Sequence, residues 1–236
     1  KMIAHGSNNE IKNRIKKALE ILSRPGVRFS ANNVMQFFAK QFVFAENIKN
    51  AIKSSKAQKG LYSFDMLGEA AWTMEDADKY FLSYKNALLE LGEHRQSENV
   101  FEADGISVKL SALHPKYDFM HRDRVLSELL PRIIELVHIA QKYNIGINID
   151  AEEAERLDLS LDVIDQIMSS IANTSWKGFG VVVQAYQKRS PYVIDWLDQS
   201  CKKHHLKIMV RLVKGAYLDS EIKKAQVMGE VDYPVF

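Results

Sequence analysis

Charged and amide side chains interrupt apolar runs near their C-terminal ends. They are Asp65 in LYSFDML, Lys109 in GISVKLSAL, Asp150 in IGINIDAEE, Gln184 in GFGVVVQAY and Arg211 in LKIMVRLV, with Glu69 just past the first run. An unpaired guanidinium in such a setting costs several kcal/mol, so something must receive it. One charged residue in a strand is explained by a salt bridge; the same interruption in every run points to a shared site. Two cations and up to three carboxylates can neutralise one another, and a positive surplus beside a planar ligand favours its electron-rich form. The stretch VKGAYLD after Arg211 suits such a ligand: Gly215 and Ala216 lack bulk, so backbone N–H groups can approach a flat ring or a phosphate. A helix expected from about Asp219 adds its positive end.

The elements that must position these residues alternate. Each apolar run is followed by an amphipathic segment, the pattern of parallel strands joined by right-handed crossovers. Thr73 and Asp76 read as a capping box for a helix that turns Ala77, Tyr80, Phe81, Tyr84 and Leu88 inward. The tract from about Arg122 to Tyr143 reads as one helix bent near Pro131. Further helices are expected from Ser160, from Ser190 as N-cap with Pro191 first, and from Asp219 to Gly229. A doubly wound sheet normally carries a Gly-rich phosphate turn, and neither GxGxxG nor GxxxxGK[ST] occurs. A (β/α) barrel gathers polar residues from the C-terminal ends of its strands, and that is the pattern present. Before Leu61 the chain is helical instead, in EIKNRIKKALEILSR and again up to Ala57, and reads as an arm. The expected division is therefore a helical arm over 1–60 and barrel over 61–236.

Composition narrows the function classes. The 236 residues are 46% apolar and 26% charged with a net charge of +2, ordinary for a globular protein and unlike a nucleic-acid-binding module. The lone Cys201 excludes an internal disulfide and a cysteine-cluster metal site. No apolar run is long enough to span a bilayer, and the N-terminal residues carry no signal-peptide core. EEAER reads as a solvated turn, His204 and His205 as helix-end residues complementing the dipole. Lys109 or Lys214 on a barrel strand also suits a Schiff-base aldolase. Asp150, Glu152 and His114 suggest a metal hydrolase only weakly, because no paired-His spacing appears and no metal is expected.

The segments YSFDMLGEAA, ISVKLSALHPKY, IGINIDAEE, VVVQAYQKR and VRLVKGAYLDSEIKKAQ resemble, in order and wording, the proline dehydrogenase domain of the bacterial proline utilisation A flavoenzymes. The resemblance runs from about Phe42 to the last residue. It implies a (β/α)8 TIM-type barrel that holds FAD, oxidises L-proline to Δ1-pyrroline-5-carboxylate by hydride transfer to flavin N5, and passes electrons to a quinone. It implies Arg211 beside flavin N5, Gln184 on the flavin ring, and Asp150 and Ala151 beneath it. Val213, Lys214, Gly215 and Ala216 would line the ribityl and pyrophosphate region. Tyr217 would border the substrate pocket, Lys109 would lie near the substrate carboxylate, and Glu69, with Asp65, would form the substrate gate. The proton acceptor for the amine stays open among neutral Lys109, Asp150 and water. The resemblance further implies a cytoplasmic enzyme with transient membrane contact. Because the sequence stops after five strands, the expectation is a piece of a longer enzyme. The remaining barrel strands and an aldehyde dehydrogenase domain would lie elsewhere, and the piece by itself could be an inert interaction module.

Overall fold

The computed structural model describes residues 43–58, 60–66 and 70–236. The helical pattern between Asn9 and Phe42, and the gate residue Glu69, lie outside them. The elements run α1 (Ile48–Lys56), β1 (Ser63–Asp65), α2 (Met74–Glu93), β2 (Gly105–Val108), α3 (Arg122–Glu128), α4 (Leu130–Tyr143), β3 (Gly146–Ile149), α5 (Leu157–Ser170), β4 (Phe179–Gln184), α6 (Ser190–His204), β5 (Met209–Val213) and α7 (Leu218–Met228), with short 3₁₀ turns between them.

All neighbouring strands pair in parallel, and their order in the sheet is their order in the chain. A doubly wound sheet reverses its strand order at a switch point, and this one does not. The sheet also curls. Arg211 Nη1 on β5 lies 3.1 Å from Ser107 Oγ on β2 and 3.5 Å from Ser63 Oγ on β1. In a flat sheet β1 and β5 would stand about 19 Å apart, four strand spacings, which no arginine can bridge. The five strands therefore form the arc of a barrel, as the alternating pattern predicts.

Register and the two-residue period then sort every strand into two faces. Ile106, Val108, Ile147, Ile149, Phe179, Val181 and Val183 are buried beneath the helices. The alternate positions Ser107, Asn148, Gly180, Arg211 and their neighbours share the inner face. Each fully buried Ile or Val contributes about 1.5–3 kcal/mol, so the outer face stabilises the arc while the inner one is free to be polar. The inner face is crowded at Gly180, where a Cβ would meet Asn148 Oδ1 at 2.1 Å and that amide would have to turn away.

The helices follow their local signals with corrections. The Thr73–Asp76 capping box is present, and Ala77, Tyr84 and Leu88 are buried. Tyr80 and Phe81 are only half-buried; the Phe81 ring carries Lys85 and Arg132 over it instead of sitting in the core. The tract to Tyr143 is two helices that meet at Leu129, with Pro131 in the first turn of the second, where its missing N–H costs nothing. Helix α5 begins at Leu157, a turn before Ser160. Ser190 is the first helical residue of α6, not its cap, and its hydroxyl faces Ala185 O at 3.4 Å. Gly229 closes α7 in the left-handed region at φ 70°. His204 is buried and bonds Asp165 Oδ1 through Nε2 at 2.8 Å, so it ties α6 to α5 and is not a simple dipole cap.

Candidate active site

The inner face carries a four-charge cluster at the C-terminal mouth of the arc. Lys109 Nζ lies 2.5 Å from Asp65 Oδ2 and 3.1 Å from Asp150 Oδ2; Arg211 Nη2 lies 2.5 Å from Asp150 Oδ1. Asp150 thus bridges the lysine and the guanidinium, one oxygen for each. The cluster is neutral as a set, which makes its partial burial tolerable. Asp65, Lys109, Asp150 and Arg211 converge as the alternation of strand residues predicts. The Asp65 and Arg211 side chains are 44% and 39% exposed, against 12% for Lys109 and 13% for Asp150. The Arg211 guanidinium is tethered but still faces the open mouth.

Burial by itself would lower the pKa of Lys109, but the Asp65 hydrogen bond and the charges of Asp150 and Asp65 outweigh it, and the net shift is upward. Lys109 is held as a cation. The group therefore favours the folded state fully below its ordinary 10.5 and stops doing so as pH rises through its higher folded value. Lys109→Met is expected to lower the urea midpoint near neutral pH and to lose that difference above pH 10.5. A gap that widens at alkaline pH contradicts the assignment.

Gln184 does not join this cluster. It is buried one layer away, where Nε2 donates to Glu152 O at 2.8 Å and Oε1 accepts from Ala216 N at 3.1 Å and from the Tyr186 hydroxyl at 3.0 Å. One amide N–H of Gln184 remains uncommitted among the described residues. The turn Val213–Tyr217 is likewise less open than its composition suggests. The Ala216 and Tyr217 N–H groups point inward to Gln184 and Tyr186. Its outer side borders a cavity of about 410 Å³ that Lys214, Gly215, Ser220 and Lys223 help to line at the start of α7.

EEAER is a partly buried junction and not a wholly solvated turn: Glu152 and Ala154 are buried while Glu155 stays exposed. Glu152 is 8% exposed; its Oε1 accepts from Ser111 N at 3.0 Å and its Oε2 pairs with Arg156 at 2.7 Å. Burial pushes the Glu152 pKa up, against the Ser111 hydrogen bonds and the Arg156 charge. The Arg156 guanidinium covers the Tyr117 ring at 5.5 Å. Glu221 on α7, also buried, accepts Ala154 N at 2.6 Å. These carboxylates fasten the loop after β3, and with it Asp150 and Ala151, to the loop after β2 and to α7. Sequence reasoning missed them because two adjacent glutamates carry no period that separates a buried one from a solvated one.

His114 is buried with both nitrogens committed, Nε2 to Glu128 Oε2 at 3.1 Å and Nδ1 accepting from Lys116 N at 3.1 Å. It does not converge with Asp150 and Glu152. The grouping of metal-type ligands found among the described residues is Glu90, Glu93 and His94, at the end of α2 and outside the mouth.

Comparison with known proteins identifies the family and the fold. The chain is 46% identical over 215 residues to the bifunctional protein PutA of Salmonella typhimurium, with 90% of this chain and 16% of that protein covered. It is 41% identical to the Escherichia coli PutA over the whole chain and 18% of the relative. The chain thus spans less than a fifth of the length of these curated relatives. A solved structure of proline utilization A with proline bound in remote sites matches at a TM-score of 0.77 and 45% identity, covering 90% of this chain and 22% of that one. The Bradyrhizobium japonicum proline utilization A mutant D778Y matches at 0.77 and 43%, covering 100% and 24%. The arc of five strands is thus part of a TIM-like barrel. The family model for proline dehydrogenase matches residues 48–236, and the chain belongs to the proline dehydrogenase family.

Proposed function

We propose that this chain supplies the first part of an FAD-dependent proline dehydrogenase site that oxidises L-proline to Δ1-pyrroline-5-carboxylate and passes the electrons to a quinone. The observation that carries this reading is Arg211, pinned by Asp150 and Ser107 yet open to the mouth, at the foot of the Val213–Tyr217 turn. The residues fit a flavin. Arg211 offers a fixed positive charge to an electron-rich ring, Gln184 retains one amide donor, and Asp150 and Ala151 floor the mouth. Lys214, Lys223 and the N-terminus of α7 border a cavity suited to the phosphate-bearing part, with Val213, Gly215 and Ala216 presenting backbone.

FAD, when bound, supplies the two-electron oxidant for the carbon next to the proline nitrogen. The chain's own residues hold and orient. Lys109, kept cationic, attracts the substrate carboxylate and therefore cannot take the amine proton. Each Asp150 oxygen already faces a cation, and in this reading the amine proton passes to water. Tyr217 borders the substrate, and Asp65 with Glu69 gates it. The same upward shift opposes Lys109 as a Schiff-base lysine, which must be neutral to attack. In this reading the full-length enzyme is cytoplasmic, meets the membrane transiently to reach quinone, and carries the remaining barrel strands and an aldehyde dehydrogenase domain.

Anaerobic addition of L-proline to the flavin-loaded full-length protein is expected to bleach the oxidised flavin absorbance, and a quinone to restore it. Flavin that stays oxidised under saturating proline defeats the proposal.

A further inference from the structure

The residue that shapes the turn after β5 lies on another strand's loop. Tyr186 stands two positions beyond the end of β4, and its hydroxyl donates to Gln184 Oε1 at 3.0 Å while accepting Tyr217 N–H at 3.2 Å. Gln184 Oε1 also receives Ala216 N–H at 3.1 Å, so both of its lone pairs are filled and the amide cannot flip. That fixes Nε2 toward Glu152 O at 2.8 Å and leaves one defined N–H for a ligand. The Tyr186 ring does a second job. Gly215 sits at φ +131°, and a Cβ there would fall 1.4 Å from Tyr186 Cε1. The ring therefore occupies the side-chain space of residue 215, and the bare backbone of the turn lies directly on it.

The backbone around Tyr186 is held on two sides. Tyr186 N donates to Lys214 O at 3.1 Å, and Tyr186 O accepts Phe236 N at 3.0 Å. Gln187 forms an antiparallel bridge with Val235, and Lys188 N donates to Pro234 O at 3.0 Å. A ring clamped in this way is a template and not a passive neighbour, because moving it shifts two turn amides and the Gln184 amide together.

We infer that Tyr186 is a positioning residue for cofactor binding: its hydroxyl and ring hold the Val213–Tyr217 turn and the Gln184 amide in the geometry that receives a flavin nucleotide. The inference rests on the reading of this mouth as a flavin site and adds to it a residue that borders the cavity at the start of α7 and whose hydroxyl acts through Gln184 and the Tyr217 amide. Its hydroxyl stays a neutral donor, since burial raises its pKa.

The test uses the full-length protein with Tyr186→Phe, which keeps the ring on Gly215 and deletes only the hydroxyl. Tyr192→Phe, at a tyrosine 74% exposed on α6, is the control. Three quantities are read: amide hydrogen exchange of the turn and the melting temperature, both in the flavin-free protein, and the FAD dissociation constant by quenching of flavin fluorescence. Expected are faster exchange at Tyr217, an apo melting temperature lowered by only a few degrees, and FAD binding weakened about three- to ten-fold, the effect of one net hydrogen bond. The control should match wild type in all three. Unchanged exchange and unchanged affinity overturn the inference. Faster exchange with unchanged affinity also overturns it, because the hydroxyl would then hold a turn on which the cofactor does not depend. Wild-type protein that binds no FAD overturns the underlying function and this inference with it, a result distinct from wild type binding and the variant binding equally well.

Discussion

Arg211→Met slows flavin reduction by proline about 10²- to 10³-fold in the full-length enzyme, equivalent to ~2.7–4 kcal/mol of lost stabilisation. The magnitude follows from the side chain's tethering. Arg211 Nη2 is 2.5 Å from Asp150 and Nη1 is 3.1 Å from Ser107, so the charge is oriented before the reaction starts and needs no reorganisation. Methionine keeps the chain length and the apolar stem but removes every donor. It also leaves Asp150 paired through Lys109 alone, so the fold survives while the positive field at the mouth is lost. Stopped-flow bleaching of the flavin under saturating proline measures the effect directly. A reduction rate within a factor of two or so of wild type would mean that the guanidinium serves the sheet and not the ring.

Asp150→Ala has the other large effect, and it falls on stability as well as on turnover. The aspartate is the shared counter-ion of Lys109 and Arg211, and without it two cations face one another across the mouth with only Asp65 in compensation. Removing one partner from a largely buried pair is worth about 3–5 kcal/mol, and the surviving Lys109–Asp65 contact brings the expected cost toward ~2–4 kcal/mol. Chemical denaturation of the flavin-free protein reads that cost without involving catalysis. Combining Asp150→Ala with Lys109→Met should recover part of it, because the second change removes one of the stranded charges. If the double variant is no more stable than additivity of the two single changes allows, the three groups do not form one electrostatic unit.

The contrast between Arg211 and Gln184 shows where sequence reading stops. Both lie in the C-terminal half of a strand, both on the inner face, and by alternation both should meet Asp150. Arg211 does, because its length carries it across the arc to β1 and β2. Gln184 does not, because the Tyr186 hydroxyl and the Ala216 N–H hold its carbonyl oxygen one layer away. Nothing in VVVQAY marks that tyrosine: it lies beyond the end of the strand, and the turn it holds is about thirty residues downstream in the chain. Glu152 is a similar case, one of two adjacent glutamates and the one that is buried, chosen by a Ser111 amide that no local pattern connects to it.

What belonged to the linear order was therefore the class of fold, the parallel strands, the helix caps at Thr73 and Gly229, and the identity of the charges at the strand ends. These depend on short-range rules: a two-residue period, a capping box, a glycine past a helix. The curvature that brings β1 within reach of β5, the sharing of Asp150 between two cations, and the ring beneath Gly215 belong to the folded molecule alone. Each depends on a distance between residues far apart in the chain, and such distances exist only once the outer face of the strands has been buried under its helices.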